Sequence, residues 1–220
     1  MEPNLNDDWR DGFLFVGNQL LLDFLNTRPV MEGEAVELLP DGGALARWLG
    51  AAGLVDSRES ARLKQRWTRP EFEASIEELR QFRESARQTV LNLEGGAPVS
   101  PSVVKRVNQM LIAYPDMDQV AKSGSGLERR RYFAPERPEQ AFAPLADAFA
   151  DLLTATPISR VRKCNGCVLH FCDTSKKGTR VWCSMNLCGN RAKVAAYADR
   201  KRRATDLDKT KKHRAAPKKL

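Results

Sequence analysis

From residue 71 to 94, apolar side chains return every three or four positions: Phe72, Ile76, Leu79, Phe82, Ala86, Val90 and Leu93. That spacing predicts one apolar stripe along a long helix, ended by Gly95-Gly96. Phe142, Leu145, Ala146, Phe149, Leu152 and Leu153 repeat the pattern until Thr156-Pro157 stops it, with Pro144 implying a late start or a kink. Ser100 before Pro101 supplies an N-cap and an N1 proline to a helix whose buried face is Val103, Val104, Val107, Met110 and Leu111. Shorter helices are expected at 42–52, after Asp41, and at 57–67, where Asp56 and Glu59 resemble a capping box. Phe13–Val16 reads as a strand. Residues 122–138, with Ser123-Gly124-Ser125-Gly126 and two prolines, read as a loop or an irregular hairpin.

Charge divides the chain. Residues 1–157 hold 18 Lys and Arg against 24 Asp and Glu, and residues 158–220 hold 18 against 4, so a net −6 meets a net +14 within the total of +8. An asymmetry of this size implies that the C-terminal part meets a polyanion while the N-terminal part does something else. The expected architecture is mainly α. A helical domain over 1–157 carries a few short strands, a small four-cysteine module over 158–203 ends in a basic helix, and 204–220 is a disordered basic tail with too few apolar residues to fold. The opening Met1-Glu2-Pro3-Asn4 is not an export signal, and the apolar run Phe13–Leu25, broken by Gly17, Asn18, Gln19 and Asp23, is too short to cross a bilayer. A cytoplasmic protein without a membrane partner is expected.

All five cysteines lie between positions 164 and 188. In a reducing compartment such a cluster means metal more often than disulfide. Cys164-x2-Cys167 and Cys183-x4-Cys188 are two tight pairs separated by 15 residues, the arrangement of a four-thiolate site for one structural Zn2+. Two short chelate loops each wrap half of the ion, and no position stays open for water, so the site serves structure rather than hydrolysis. Zinc contributes roughly 10–16 kcal/mol in finger peptides, more than so small a core supplies. Cys172 and His170 are spare donors, although Cys172 beside Phe171 reads as a small hydrophobe in a short strand.

The tetrapeptide Cys188-Gly189-Asn190-Arg191, with Phe171, Asp173, Ser175, Arg180, Trp182-Cys183-Ser184-Met185 and Lys193 around it, resembles the bacterial CGNR zinc finger proteins. Upstream, Leu22-Asp23-Phe24-Leu25-Asn26-Thr27 and the stretch from Leu38-Leu39-Pro40 to Trp48-Leu49 look like the ABATE domain that usually precedes this finger. The resemblance spans roughly 12–203 and implies a zinc-dependent regulator of transcription in the stress response.

Residues 189–203 read as a helix with Val194, Tyr197 and Ala198 facing the zinc core. Arg180, Arg191, Lys193, Arg200, Lys201, Arg202 and Arg203 are the candidate nucleic-acid contacts. Four thiolates leave the metal site negative, so Arg162, Lys163, Arg180 and Arg191 serve equally well to neutralise it. Trp182, Phe171 and Tyr197 read as core rather than as stacking platforms, and Asp173 and Ser175 as caps of the loop between the cysteine pairs. Asp23, Asn26 and Thr27 form a polar set on an apolar segment, either a buried hydrogen-bond network or a ligand pocket.

No phosphate-binding G-x-x-x-x-G-K-[ST] loop or dinucleotide-binding G-x-G-x-x-G is present, and of the two histidines His213 lies in the basic tail, which argues against an enzyme. The function expected is that of a DNA-binding transcription regulator with an N-terminal effector or oligomerisation domain. An RNA-binding factor and a zinc-stabilised protein-interaction module are the alternatives; a small-molecule effector and a homodimer stay open.

Overall fold

From its N-terminal side the chain forms a short hairpin, β1 (Trp9–Arg10) and β2 (Phe13–Leu14), then α1 (Leu20–Leu25) and a second hairpin, β3 (Val30–Met31) and β4 (Glu34–Ala35). Helices α2 (Gly42–Ala51), α3 (Ser57–Trp67), α4 (Glu73–Glu94) and α5 (Pro101–Ala113) follow. A third hairpin, β5 (Met117–Ser123) and β6 (Gly126–Tyr132), leads to α6 (Phe142–Thr154). The chain closes with β7 (Val161–Lys163), β8 (His170–Cys172), a single wide turn at Met185–Gly189 and α7 (Asn190–Arg214). This computed structural model describes residues 8–115 and 117–214, with side chains as far as 203. All strand pairs among them are antiparallel and two-stranded.

Local chemistry starts the helices where the caps stand. Asp41, Asp56 and Ser100 each accept a backbone hydrogen bond from the residue three positions on, Ala44, Glu59 and Val103. Pro144 falls in the first turn of α6, where its missing N–H has no partner to lose, so the helix is neither delayed past it nor broken there. The core is one continuous cluster in which Phe24, Trp48, Trp67, Phe82 and Phe149 are all at least 97% buried. Phe24 meets Trp48 edge-on at 5.4 Å, and Phe82 meets Phe149 edge-on at 6.1 Å.

Four sequence expectations change. Segment 122–138 begins with a regular strand: β5 and β6 pair over seven residues each around Gly124-Ser125, where φ of +58° at Gly124 is the conformation that primed hairpin turns require. Alternation was hidden because nearly every side chain on this hairpin is polar or exposed. On α5, Val107 is buried but Val104 is 45% exposed, so the covered stripe is narrower than its sequence spacing implies. Val194, Tyr197 and Ala198 do not face the metal site: all three are exposed, the first two at 67% and 64%. Finally, α7 continues past Arg203 through Arg214, across most of the stretch read as a disordered tail. Ala, Leu, Lys and Arg are strong helix formers, and neither Gly nor Pro interrupts them before Pro217. Residues 215–220 lie outside the described residues.

Candidate metal centre

Each cysteine pair is set by its own short element. Cys164 follows β7 directly and its N–H donates to the Leu169 carbonyl at 2.8 Å, closing the turn that carries Cys167 into place. Ser184 caps the wide turn after Cys183 by accepting from the Asn186 N–H at 3.0 Å, and the Cys188 N–H then donates to the Ser184 carbonyl at 3.1 Å. The four sulfurs lie within 4.8 Å of one another. Two separations, Cys167–Cys183 and Cys183–Cys188, are 3.7 Å. A tetrahedron with metal–sulfur bonds of about 2.3 Å has edges of about 3.8 Å, whereas a disulfide is close to 2 Å. All five cysteines are free.

Without a cation these sulfurs cannot ionise together. Hydrogen bonds from the Cys167 and Cys183 thiols hold Cys164 far below the usual thiol range, and the same contacts push Cys167 up to about 12 and Cys183 higher still. A divalent ion converts that mutual opposition into four bonds to one centre. The spare donors are elsewhere. His170 is buried with its Nδ1 at 3.6 Å from Glu94 Oε1, and the Cys172 N–H donates to the Gly17 carbonyl at 2.7 Å.

The residues around the sulfurs are fixed by contact. At Gly189 an added Cβ would meet the Met185 Sδ at 2.6 Å, so a larger residue there would have to push aside the flexible end of that methionine. Arg191 bends back over its own turn, donating from Nη2 to Cys188 Sγ at 3.0 Å and from Nε to the Leu187 carbonyl at 2.9 Å. Its contact with Cys188 raises its pKa. Arg180 lies 4.7 Å over the Phe171 ring and donates from Nε to the Trp182 carbonyl at 2.8 Å. Asp173 accepts from the Ser175 and Arg180 N–H groups, both at 2.9 Å, and the Ser175 side chain foremost, with these N–H groups, holds its carboxyl at about 2. Arg162 donates to the Gly178 carbonyl at 2.9 Å rather than to a sulfur.

A model of the ABATE family, described as "Putative stress-induced transcription regulator", matches residues 18–156, more than half of the chain. The chain belongs to the ABATE family. A CGNR zinc finger model matches residues 160–201, directly after the ABATE region, and names zinc as the ion that the four clustered cysteines could hold. Comparison with curated proteins finds no match.

Outside both matches lies the hairpin that completes the finger. Leu14 and Val16 are buried in one cluster with Cys164, Leu169, Phe171, Cys183 and Cys188, and Trp9 packs against it. No cysteine-spacing rule reveals this partnership; the clue in the sequence is only the apolar character of Phe13–Val16.

Of the remaining residues singled out in the sequence, Lys193, Arg200, Lys201, Arg202 and Arg203 are exposed on α7, and Arg202 pairs with Asp199 at 2.7 Å. Asp23, Asn26 and Thr27 are brought together in a network that uses their polar atoms internally. Asp23 accepts from the Gly17 N–H at 2.7 Å, and Thr27 accepts from Arg83 at 2.9 Å. Asn26 pairs with the backbone of His170 in both directions at 2.9 Å, as a neighbouring strand would. That bond, with Gly17 on Cys172, covers the outer edge of β8 and joins the finger to α1.

Proposed function

We propose that this ABATE-family protein is a cytoplasmic, non-enzymatic transcription regulator that binds DNA by placing α7 in the major groove. The observation that carries this reading is the helix itself. It runs 25 residues, about 37 Å at 1.5 Å per residue, and its exposed residues from Arg191 to Arg203 show no buried stripe. Such a helix finds its partner outside its own chain. Successive residues step by about 100°, which sets Asn190, Lys193, Val194, Tyr197, Arg200 and Lys201 on one side, with Arg191, bound to the cluster, about 120° round from the centre of that face. Lys193, Arg200, Lys201 and Arg203 then reach phosphates or base edges, while Tyr197 and Val194 offer apolar contact to thymine methyl groups. Arg180 and Arg191 contribute by holding the module together.

The same shape favours DNA over RNA. The major groove of B-DNA, about 12 Å wide, admits an α-helix, whereas that of A-form RNA is deep and narrow. Arg200→Ala is expected to weaken binding to duplex DNA and to lower the slope of log affinity against log salt by about 1, with zinc content unchanged. Fluorescence anisotropy across a salt series checks this. Binding insensitive to salt would transfer the module to a protein partner, and equal affinity for duplex RNA would remove the major-groove reading.

A sensing role for the helical domain has a place in the fold. A cavity of about 880 Å³ lies between the β5–β6 hairpin and the helices, with Gln19, Leu54, Tyr132 and Phe133 among its walls. Gln19 adjoins Gly17 and Asn18, both bonded to Cys172 of β8, so an effector held there bears directly on the finger.

A further inference from the structure

Three of the four zinc ligands also line a groove. It measures about 990 Å³ and runs between the β1–β2 hairpin, the β3–β4 hairpin and the finger, with Cys167, Cys183 and Cys188 along it. Its other walls are largely apolar, including Trp9, Leu14, Val36, Leu169 and Leu187. At the mouth, Val30 and Met31 are each 41% exposed, a pair of large apolar side chains presented to solvent on a two-residue strand. Within the cluster, exposure is uneven. Cys164, Cys183 and Cys188 are 0–4% exposed, and Cys167 alone is half-buried.

We propose that this groove is a covalent modification site, in which a small apolar carbon electrophile of the quinone class alkylates Cys167. Held by a metal, the cysteine is already a thiolate, so attack needs no general base. The Cys167 Sγ–carbon bond forms at the ring carbon β to a quinone carbonyl. The ring C=C pair moves onto the carbonyl oxygen, which takes a proton from water. Migration of the ring proton to the second oxygen leaves an aromatic hydroquinone thioether. The electrophile itself accepts the electron pair, and no further oxidant is consumed. Among the lining residues Arg191 stands beside the cysteines while Glu32 and Glu34 lie in the β3–β4 hairpin, so the negative charge that the step develops on oxygen is best accommodated on the Arg191 side. The groove's size and apolar walls select this class over hydrogen peroxide, which is small and polar.

The product sulfur is a neutral thioether, a poor ligand for zinc, so modification leaves three thiolates and loosens the knuckle that Cys167 helps to close. This mechanism stands apart from whatever α7 binds, and its test needs no nucleic acid. Full-length zinc-loaded protein, kept reduced, is treated with one equivalent of 1,4-benzoquinone. Peptide mass mapping locates the adduct while a chromogenic chelator follows zinc. The first adduct is expected on Cys167, with zinc released in step. The exposed pair Val30→Glu and Met31→Glu, at the groove mouth and outside the ligand set, is expected to slow the reaction about fivefold at unchanged zinc content, the factor that loss of modest apolar contact makes. An adduct first on Cys172, zinc retained after Cys167 is modified, or a doubly substituted protein that reacts at the wild-type rate would each overturn the proposal.

Discussion

The helical body buries Phe24, Trp48, Trp67, Phe82 and Phe149 in a large core to which Phe13 of β2 and Val161 of β7 also contribute, whereas around its cysteines the finger supplies only Leu169 and Phe171 as buried apolar side chains. The finger makes up the difference in two ways: by binding zinc, and by taking Leu14 and Val16 from a hairpin 150 residues away in the chain. Chains much below 40 residues rarely fold on hydrophobic burial alone. The 42-residue match to the finger is close to that limit, and the hairpin raises its core without lengthening it. The end of one family match and the start of the next therefore do not mark where two folding units separate. Asn26 and Gly17 on one side and His170 and Cys172 on the other form a hydrogen-bonded seam across that boundary.

Removing the metal is the most severe perturbation of this contrast. Cys183→Ser takes away the most buried sulfur, and structural zinc is worth roughly 10–16 kcal/mol in finger peptides. The variant is expected to purify without stoichiometric zinc and to lose hydrogen-exchange protection over 160–189 and also over 9–16, while α2, α4 and α6 keep theirs. Protection retained over 9–16 in the zinc-free chain would show that the hairpin belongs to the helical body instead.

A matched pair of core truncations probes the same contrast more finely. Leu14→Ala and Leu79→Ala both remove a side chain no more than 4% exposed, at a cost of about 2–5 kcal/mol each. Only Leu14→Ala is expected to speed zinc transfer to a competing chelator, because Leu14 packs in the cysteine cluster and Leu79 in the helical core. Equal zinc kinetics in the two variants would undo the idea of a shared core.

How much of this was legible depended on whether the signal was local. Asp41, Asp56 and Ser100 announce helices because an N-cap bonds three residues away. Cys164, Cys167, Cys183 and Cys188 announce the metal because chelate loops are short. The helix α1 was hidden, because its six residues Leu20–Leu25 are buried on nearly all sides and so short a run has no period to read. Val194 and Tyr197 misled for the converse reason: apolar residues at helical spacing imply a covered face, yet α7 leaves the finger after its first turn and nothing in the described chain covers them. Leu14 and Val16 were legible as buried, but not as belonging to the finger, since that pairing is set by tertiary packing alone.

The smallest expected effect tests the seam through pH. Asp23 is buried beside Gly17, and desolvation raises its carboxyl from 3.8 to about 7, against the lowering effect of the Gly17 N–H. Between pH 4 and pH 7 the folded chain therefore keeps a proton on Asp23 that the unfolded chain has lost. Stability from this group is full below about pH 4, falls as pH rises toward 7 and is level above it. Asp23→Asn keeps an acceptor for Gly17 without a titration. It is expected to flatten this slope and to gain on the order of 2 kcal/mol relative to wild type between pH 5 and pH 8, since each tenfold change in acidity is worth about 1.36 kcal/mol and residual hydration lessens the effect. Because Gly17 also accepts from Cys172, the flattening should appear in the protection of β8 as well as in global denaturant unfolding. A slope shared by wild type and variant would place the pH response elsewhere and leave Asp23 as a plain hydrogen-bond acceptor in the joint.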